Sequence, residues 1–273
     1  MHERLSRQQE ALLSYALAFH QGGKLKLARD IYRRLQKEVP LDPNILRLLG
    51  TIECQLGGLV EGIKLLDQSL AITPDQEEVY NNRGIALSNL KRFDEALLSY
   101  DKALAIKQDY ADAYNNRGNM LCEWSRFEEA LKNFDQALRF KPAYVEAHNN
   151  SGIALYGLKR FQEALACYDK ALALKPDYAE AHNNRGITLS CLNRIKEALA
   201  SYDQALAIKP AFAEAHNNRG IALIQLERFD EALTSYNKAL AIKPNYAQGT
   251  WNRSLLLLSR DHSSMSSYSN SCH

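Results

Sequence analysis

The chain has 273 residues, of which 46% are hydrophobic and 24% charged, and its formal net charge is +2. This composition supports a large apolar core, and the balanced charge gives no electrostatic reason to expect binding to nucleic acid or to a membrane surface. No apolar run reaches the roughly 18 residues that a membrane-spanning helix needs. The five cysteines are scattered, with no C-x-x-C pair, a pattern typical of a reduced compartment, so we expect a cytoplasmic protein.

A 34-residue period organises almost the whole sequence, from Gly50 through Gly220 and from Pro142 through Pro244. In chain order, we expect an N-terminal extension at 1–8, the repeats, a capping helix at 247–260 and a disordered serine-rich tail at 261–273. The seven predicted repeats are 9–42, 43–76, 77–110, 111–144, 145–178, 179–212 and 213–246.

Each repeat has the apolar spacing of two helices. In 179–212 the first helix is predicted from about Ala179 to Cys191 and the second from about Ile195 to Ile208. The proline that follows Lys209 ends the second helix, because the residue before a proline disfavours the helical conformation. The small residues Gly186 and Ala198 predict that the two helices approach closely.

The order of these residues resembles the tetratricopeptide repeat. A tyrosine or histidine is followed four residues later by glycine, and then by alanine, an aromatic residue, alanine and proline at fixed spacings. The resemblance covers all seven repeats and implies an all-α fold, a right-handed α-solenoid of helix-turn-helix units whose first helices line a concave groove. Gln108 in place of proline and Gly62 in place of alanine depart from the pattern.

Two adjacent asparagines recur in the middle of the first helix of five consecutive repeats, and one more follows in the capping helix. They are Asn81, Asn82, Asn115, Asn116, Asn149, Asn150, Asn183, Asn184, Asn217, Asn218 and Asn252. At 100° per residue they lie opposite the recurring glycine, so the resemblance places them in the groove. One interpretation is that the row of amides binds the backbone of an extended peptide, since an amide both donates and accepts hydrogen bonds. The alternative is that hydrogen bonds between repeats stiffen the array.

Neighbouring groove positions vary among repeats, which predicts selective side-chain pockets at Asn119, Tyr156, Ile187 and Ile221.

Other recurring polar residues fit structural roles. Histidines such as His216 occupy the slot of a packed tyrosine, and arginines such as Arg185 extend over apolar surface towards a polar neighbour. Acids in the first helical turn, such as Glu180 with Asp177, have capping-box spacing and would make the groove rim mildly acidic.

The sequence contains no catalytic, cofactor-binding or metal-binding motif. We therefore expect a non-catalytic scaffold that binds an unidentified protein or peptide, as an extended segment or a helix. Some tetratricopeptide repeats use lysines in the groove to bind the terminal carboxylate of a chaperone tail. This groove lacks those lysines, so we do not expect a chaperone tail as its partner.

An alternative is the substrate-binding arm of a glycosyltransferase. The first repeats and the stretch "WNRSLLLL" resemble bacterial proteins related to O-linked N-acetylglucosamine transferases, and the serine-rich ending suggests a truncated form.

Overall fold

The computed structural model describes the backbone of residues 5–270 and the side chains of residues 5–258. In this part of the chain every regular element is an α-helix, and the helices number fifteen. They are α1 (Arg7–Gln21), α2 (Leu25–Glu38), α3 (Pro43–Gln55), α4 (Leu59–Ile72), α5 (Glu77–Asn89), α6 (Phe93–Ile106), α7 (Ala111–Glu123), α8 (Phe127–Phe140), α9 (Val145–Gly157), α10 (Phe161–Leu174), α11 (Ala179–Cys191), α12 (Ile195–Ile208), α13 (Ala213–Gln225), α14 (Phe229–Ile242) and α15 (Ala247–Asn270).

The chain forms two compact halves, an N-terminal half from Met1 to Pro142 and a C-terminal half from Ala143 to His273. Within each half the two helices of a repeat pack as a hairpin, and each second helix also contacts the first helix of the next repeat. The predicted fold class, an all-α solenoid of seven helix-turn-helix units with a capping helix, is confirmed.

In the third to seventh repeats, a glycine on the first helix packs against an aromatic ring on the second helix. A Cβ added at Gly186 would lie 2.6 Å from Cε1 of Tyr202, and one at Gly220 would lie 2.5 Å from Cε1 of Tyr236. Both rings are almost fully buried. Only a residue without a side chain allows the ring this close to the first helix, so the predicted close approach is confirmed.

Gly62 in the second repeat has a local explanation. A Cβ at Gly62 would lie 2.3 Å from Sγ of Cys54 and 2.8 Å from the carbonyl oxygen of Gly50. The two helices of the second repeat therefore approach so closely that no space is left for a side chain at Gly62.

Both ends of the array differ from the sequence prediction. Helix α1 begins at Arg7, inside the predicted extension at 1–8, because Ser6 and Gln9 form a capping box. Helix α15 continues to Asn270, past the predicted end at residue 260 and into a segment predicted to be disordered. Extending an existing helix costs much less than nucleating one. Residues 271–273 lie outside the described range.

Leu256 makes the buried apolar contact between helix α15 and the seventh repeat. Leu256 is buried against Leu223 and Tyr236, in a cluster that also includes Leu199 of the sixth repeat. Trp251, in the same helix, is 67% exposed and does not cover the end of the array. Trp251 occupies the position that Asn217 has in the first helix of the seventh repeat. Within the described residues, no further helix packs over this side chain.

Candidate peptide-binding face

The two asparagines of each pair occupy different environments. The first asparagine is buried, with 6% of Asn183 and 2% of Asn217 exposed. The second, as in Asn184 and Asn218, is half-buried. The prediction that both amides line an open groove is therefore wrong for the first asparagine, which the packing of adjacent first helices covers.

Within each half, hydrogen bonds join the asparagines of neighbouring repeats into a row, which we call the asparagine ladder. The second asparagine donates from Nδ2 to Oδ1 of the first asparagine in the preceding repeat. In the C-terminal half these bonds are Asn184 to Asn149 at 3.2 Å, Asn218 to Asn183 at 3.0 Å and Asn252 to Asn217 at 2.9 Å. In the N-terminal half they are Asn116 to Asn81 at 3.1 Å and Asn82 to Oγ1 of Thr51 at 3.3 Å.

The ladder leaves hydrogen-bonding capacity for another molecule. A carboxamide has two N–H donors and two acceptor positions on its oxygen. The bond from Asn218 to Asn183 uses one donor of the first amide and one acceptor position of the second. Asn183 is buried, whereas Asn218 is half-buried, so the second donor and the oxygen of Asn218 stay within reach of another molecule while the bond fixes the orientation of its amide.

A second row of side chains follows the ladder, because residues three positions apart lie on the same side of a helix. Three positions after the second asparagine, the C-terminal half has four apolar residues. They are Ile153, 38% exposed; Ile187, half-buried; Ile221, 39% exposed; and Leu255, 58% exposed. We call the surface formed by the second asparagines and these residues the ladder face.

The ladder face of the N-terminal half is less uniform. Ile85 is 36% exposed, whereas Asn119 occupies the equivalent position of the next repeat and is half-buried. Tyr156, in the C-terminal half, lies one helical turn beyond Ile153. Its hydroxyl is 3.5 Å from Sγ of Cys191, and this hydrogen bond, with burial, raises the pKa of Tyr156 to about 12.

The acids at the start of the first helices do not form the predicted capping boxes. Helix α11 has Tyr178 rather than Asp177 at its N-cap, and no side chain caps it. Glu180 instead pairs with Lys209 at 2.7 Å, and Glu214 pairs with Lys243 at 3.0 Å. These lysine hydrogen bonds lower the pKa of both carboxyl groups. The rim therefore carries ion pairs of both signs, and the expected acidic rim is wrong.

The arginines that precede the recurring glycines connect three helices, as their predicted polar contacts imply. Arg185 donates from Nε to Asp169 at 2.7 Å and from Nη1 to Ser201 at 2.8 Å. Arg219 makes the equivalent contacts with Asp203 at 2.6 Å and Ser235 at 2.7 Å. Each guanidinium group thus bridges the second helices of successive repeats.

The histidines pack as substitutes for tyrosine. Nε2 of His182 lies 2.9 Å from the carbonyl oxygen of Pro176, and Nε2 of His216 lies 3.0 Å from that of Pro210. Burial lowers the pKa of His216.

Among the described residues, no group of three or more histidine, cysteine, aspartate or glutamate side chains could hold a metal ion.

Two features of the turns were not predicted from the sequence. The residue two positions before each second helix adopts positive φ, including 60° at Lys159 and 58° at Asn193. Gly23 and Gly57 occupy this position in the first two repeats, and these two glycines are the sequence feature that could have indicated the positive φ.

The second feature is an ion pair with two hydrogen bonds between the next residue, an arginine, and the glutamate three positions after it. Arg160 and Glu163 form such a pair at 2.7 and 2.6 Å.

None of the helices in the described part of the chain combines the length and apolar character needed to cross a bilayer.

Models of the tetratricopeptide repeat match most of the chain. The matched residues are 3–44, 77–110, 99–132, 118–159, 144–211 and 213–246. No curated protein matches the sequence.

Solved structures show the same helical architecture. A tetratricopeptide repeat protein from Parabacteroides merdae superposes with a TM-score of 0.73 at 18% identity, covering 92% of this chain and all of that one. YrrB, described as a tetratricopeptide repeat protein with an unusual peptide-binding site, has a TM-score of 0.53 at 25% identity, covering 69% of this chain and 97% of its own. TTC0263 from Thermus thermophilus has a TM-score of 0.57 at 25% identity, covering 67% of this chain and 100% of its own.

Proposed function

Because the chain belongs to the tetratricopeptide repeat family, we propose that it is a non-catalytic interaction scaffold whose ladder face binds an extended peptide segment. The family and the fold support a role in protein interaction. The observation that carries the finer proposal is the asparagine ladder, in which Asn184 and Asn218 hold neighbouring amides in a fixed row. The peptide-binding site named for YrrB is a property of that protein and gives this proposal a precedent.

Backbone chemistry favours an extended ligand over a helix. The N–H and C=O groups of an extended segment remain free to pair with amides, whereas those within a helix are already paired internally. Side-chain amides that both donate and accept can bind such a backbone whatever its sequence. The expected partner is therefore an unstructured protein segment.

The two interpretations of the asparagines are compatible in this arrangement. The bond from Asn184 to Asn149 joins successive first helices, and it also restricts the amide to one orientation. An amide that is already oriented loses less conformational entropy when a ligand binds. Stiffening the array thus strengthens its interaction with the peptide.

Selection from a library of random linear peptides tests the proposal. Peptides should be enriched on the intact chain and should bind the Asn184→Ala, Asn218→Ala variant at least about ten-fold more weakly, since each lost hydrogen bond contributes about 1 kcal/mol. The matched control is Asn245→Ala, because Asn245 is an exposed asparagine outside the ladder. Circular dichroism would establish that both variants are folded. Equal binding by the ladder variant and the control would refute the role of the ladder.

The glycosyltransferase alternative has its own test. It requires a transferase sequence encoded beside this one, because the described residues are occupied by helical repeats and the capping helix. Such a neighbouring frame would favour the arm of a glycosyltransferase, and its absence together with a defined partner would favour the scaffold. A cytoplasmic location is part of the scaffold proposal and is based on the scattered spacing of the cysteines in the sequence.

A further inference from the structure

The apolar row of the ladder face has the same period as the repeats. In the C-terminal half, Ile153, Ile187, Ile221 and Leu255 each follow a ladder asparagine by three positions. Adjacent first helices are in direct contact through the asparagine bonds, so the rows advance by about 10 Å per repeat, the spacing of packed helices. A ligand that uses both rows must present one apolar side chain and one free stretch of backbone at that interval.

A β-strand does not meet this requirement. Side chains on one face of a strand recur every second residue, at about 6.6 Å and then about 13 Å. Residues three apart span about 10 Å but point to opposite faces. A strand would therefore place an apolar side chain against every other step of the row and leave Ile187 or Ile221 without a partner.

An α-helix matches the spacing but not the hydrogen bonding. Residues seven apart lie on one face of a helix and about 10.5 Å apart. The helical backbone, however, already pairs its own N–H and C=O groups, so the amides of Asn184 and Asn218 would meet no free partner. Covering these amides with an apolar helix face would remove their contact with water without replacing it, which is unfavourable.

The polyproline II conformation satisfies both requirements. It has three residues per turn and rises about 3.1 Å per residue, so residues three apart lie on one face and about 9.3 Å apart. Its backbone has no internal hydrogen bonds and remains available to the ladder. One turn of such a ligand therefore corresponds to one repeat of this array.

We propose that the ladder face of the C-terminal half selects segments in the polyproline II conformation that carry an apolar residue at every third position. This inference rests on the proposed function and names its ligand class. The three steps from Ile153 to Leu255 span about 30 Å, which corresponds to about ten residues of ligand. The paired charges at the rim, such as Glu180 with Lys209, favour a segment of low net charge.

Synthetic peptides of identical composition test the inference. Three peptides of equal length carry the same number of leucines, spaced at every third, every second or every seventh position. Alanine, glutamine and serine fill the other positions, because they allow each of the three conformations. Fluorescence anisotropy measures the affinities of the peptides for the full chain. The peptide with leucine at every third position should bind at least about ten-fold more tightly than either other peptide, because only it buries several leucines at once. Its bound state should show the circular dichroism of polyproline II.

Substitutions locate the contact on the row. Ile221→Asn gives the seventh repeat the side chain that Asn119 naturally has at the equivalent position, and it should weaken binding of the every-third peptide about ten-fold. The control is Ile208→Asn, because Ile208 has a similar exposure of 37% but lies on the second helix. An equal effect of the two substitutions would overturn the assignment to this row.

The outcomes separate this inference from the proposed function. If the three peptides bind equally and all lose affinity on Asn184→Ala, Asn218→Ala substitution, the ladder binds peptide but the period-three inference is wrong. Tighter binding by the every-seventh peptide with a gain of helicity would also overturn it. If the every-third peptide is preferred but does not respond to the asparagine substitutions, the ladder proposal fails instead.

Discussion

At the scale of single residues, recurring positions in this chain are set by contacts between helices. Tyr202 occupies the space that a side chain at Gly186 would need, and the second repeat leaves no space for a side chain at Gly62. Lys159 adopts a φ of 60° in the turn where earlier repeats have glycine. At the turn position, the backbone conformation therefore recurs from repeat to repeat although the residue type changes.

Gly186→Ala tests the contact between the helices of a hairpin. The added methyl group would lie 2.6 Å from the ring of Tyr202, so we expect a loss of about 1–3 kcal/mol in the free energy of unfolding, the usual cost of overpacking. Denaturant titration measures this loss. In a Tyr202→Leu background the same substitution should cost less, because the ring is absent. An undiminished cost in that background would show that the ring is not responsible.

Lys159→Gly tests the strain in the turn. Positive φ costs a non-glycine residue about 1–2 kcal/mol, and glycine adds about 0.5–1 kcal/mol of chain entropy in the unfolded state, so we expect a net stabilisation of about 0.5–1 kcal/mol. Lys170→Gly in the interior of α10 is the control and should destabilise by about 0.8–1 kcal/mol. Thermal unfolding of the two variants should shift in opposite directions; a shift of both to lower temperature would refute the turn assignment.

At the scale of elements, ion pairs link the start of the first helix to the end of the second helix in the sixth and seventh repeats. Lys209 and Lys243 lower the pKa of Glu180 and Glu214, and arginines lower the pKa of Glu163 and other acids at the start of the second helices. These carboxylate side chains keep between 45% and 59% of their surface exposed, so each pair contributes little by itself. Because there are several such pairs, their summed contribution should make the free energy of unfolding of the array measurably dependent on pH.

Stability should fall as acid protonates these carboxylates. Because their folded pKa values lie below the ordinary value of 4.5, the stabilisation is present above that pH and is lost as the pH falls through the folded values. Urea titrations at successive pH values should show this loss. A Lys209→Met, Lys243→Met variant should lose less stability on acidification than a Lys238→Met control, since Lys238 forms no ion pair within the described residues. Equal acid sensitivity would contradict the assignment.

At the scale of the whole molecule, stability accumulates from repeat to repeat, so the last contact protects the repeats before it. Leu256→Ala should cost about 2–5 kcal/mol in local stability because it empties the cluster with Leu223 and Tyr236. Hydrogen exchange should then accelerate in α13 and α14 more than in α9. Leu255→Ala, at a 58% exposed position, should change stability by less than about 0.5 kcal/mol. Equal exchange rates in the two variants would contradict the capping role of Leu256.

The sequence was sufficient to predict the fold because the period itself specifies the helices, as Gly186 and Tyr202 illustrate. The site was predictable only in part. Helical geometry places Asn184 opposite Gly186, but it places Asn183 only about 60° from that glycine, beside the packing face, and Asn183 is buried. Capping at Asp177 was predicted from local spacing and failed because Glu180 instead pairs with Lys209, which is distant in sequence. Contacts between helices were the information that the linear pattern lacked.

If the asparagine ladder binds peptide, each asparagine of the row should contribute separately to the affinity. Calorimetry with one enriched linear peptide should measure binding to the intact chain and to variants in which Asn184, then Asn218, then Asn150 are replaced by alanine. We predict that Kd rises by a similar factor of about 3–10 at each step, since each rung contributes about one hydrogen bond. A triple variant that is folded and binds as tightly as the intact chain would contradict the claim.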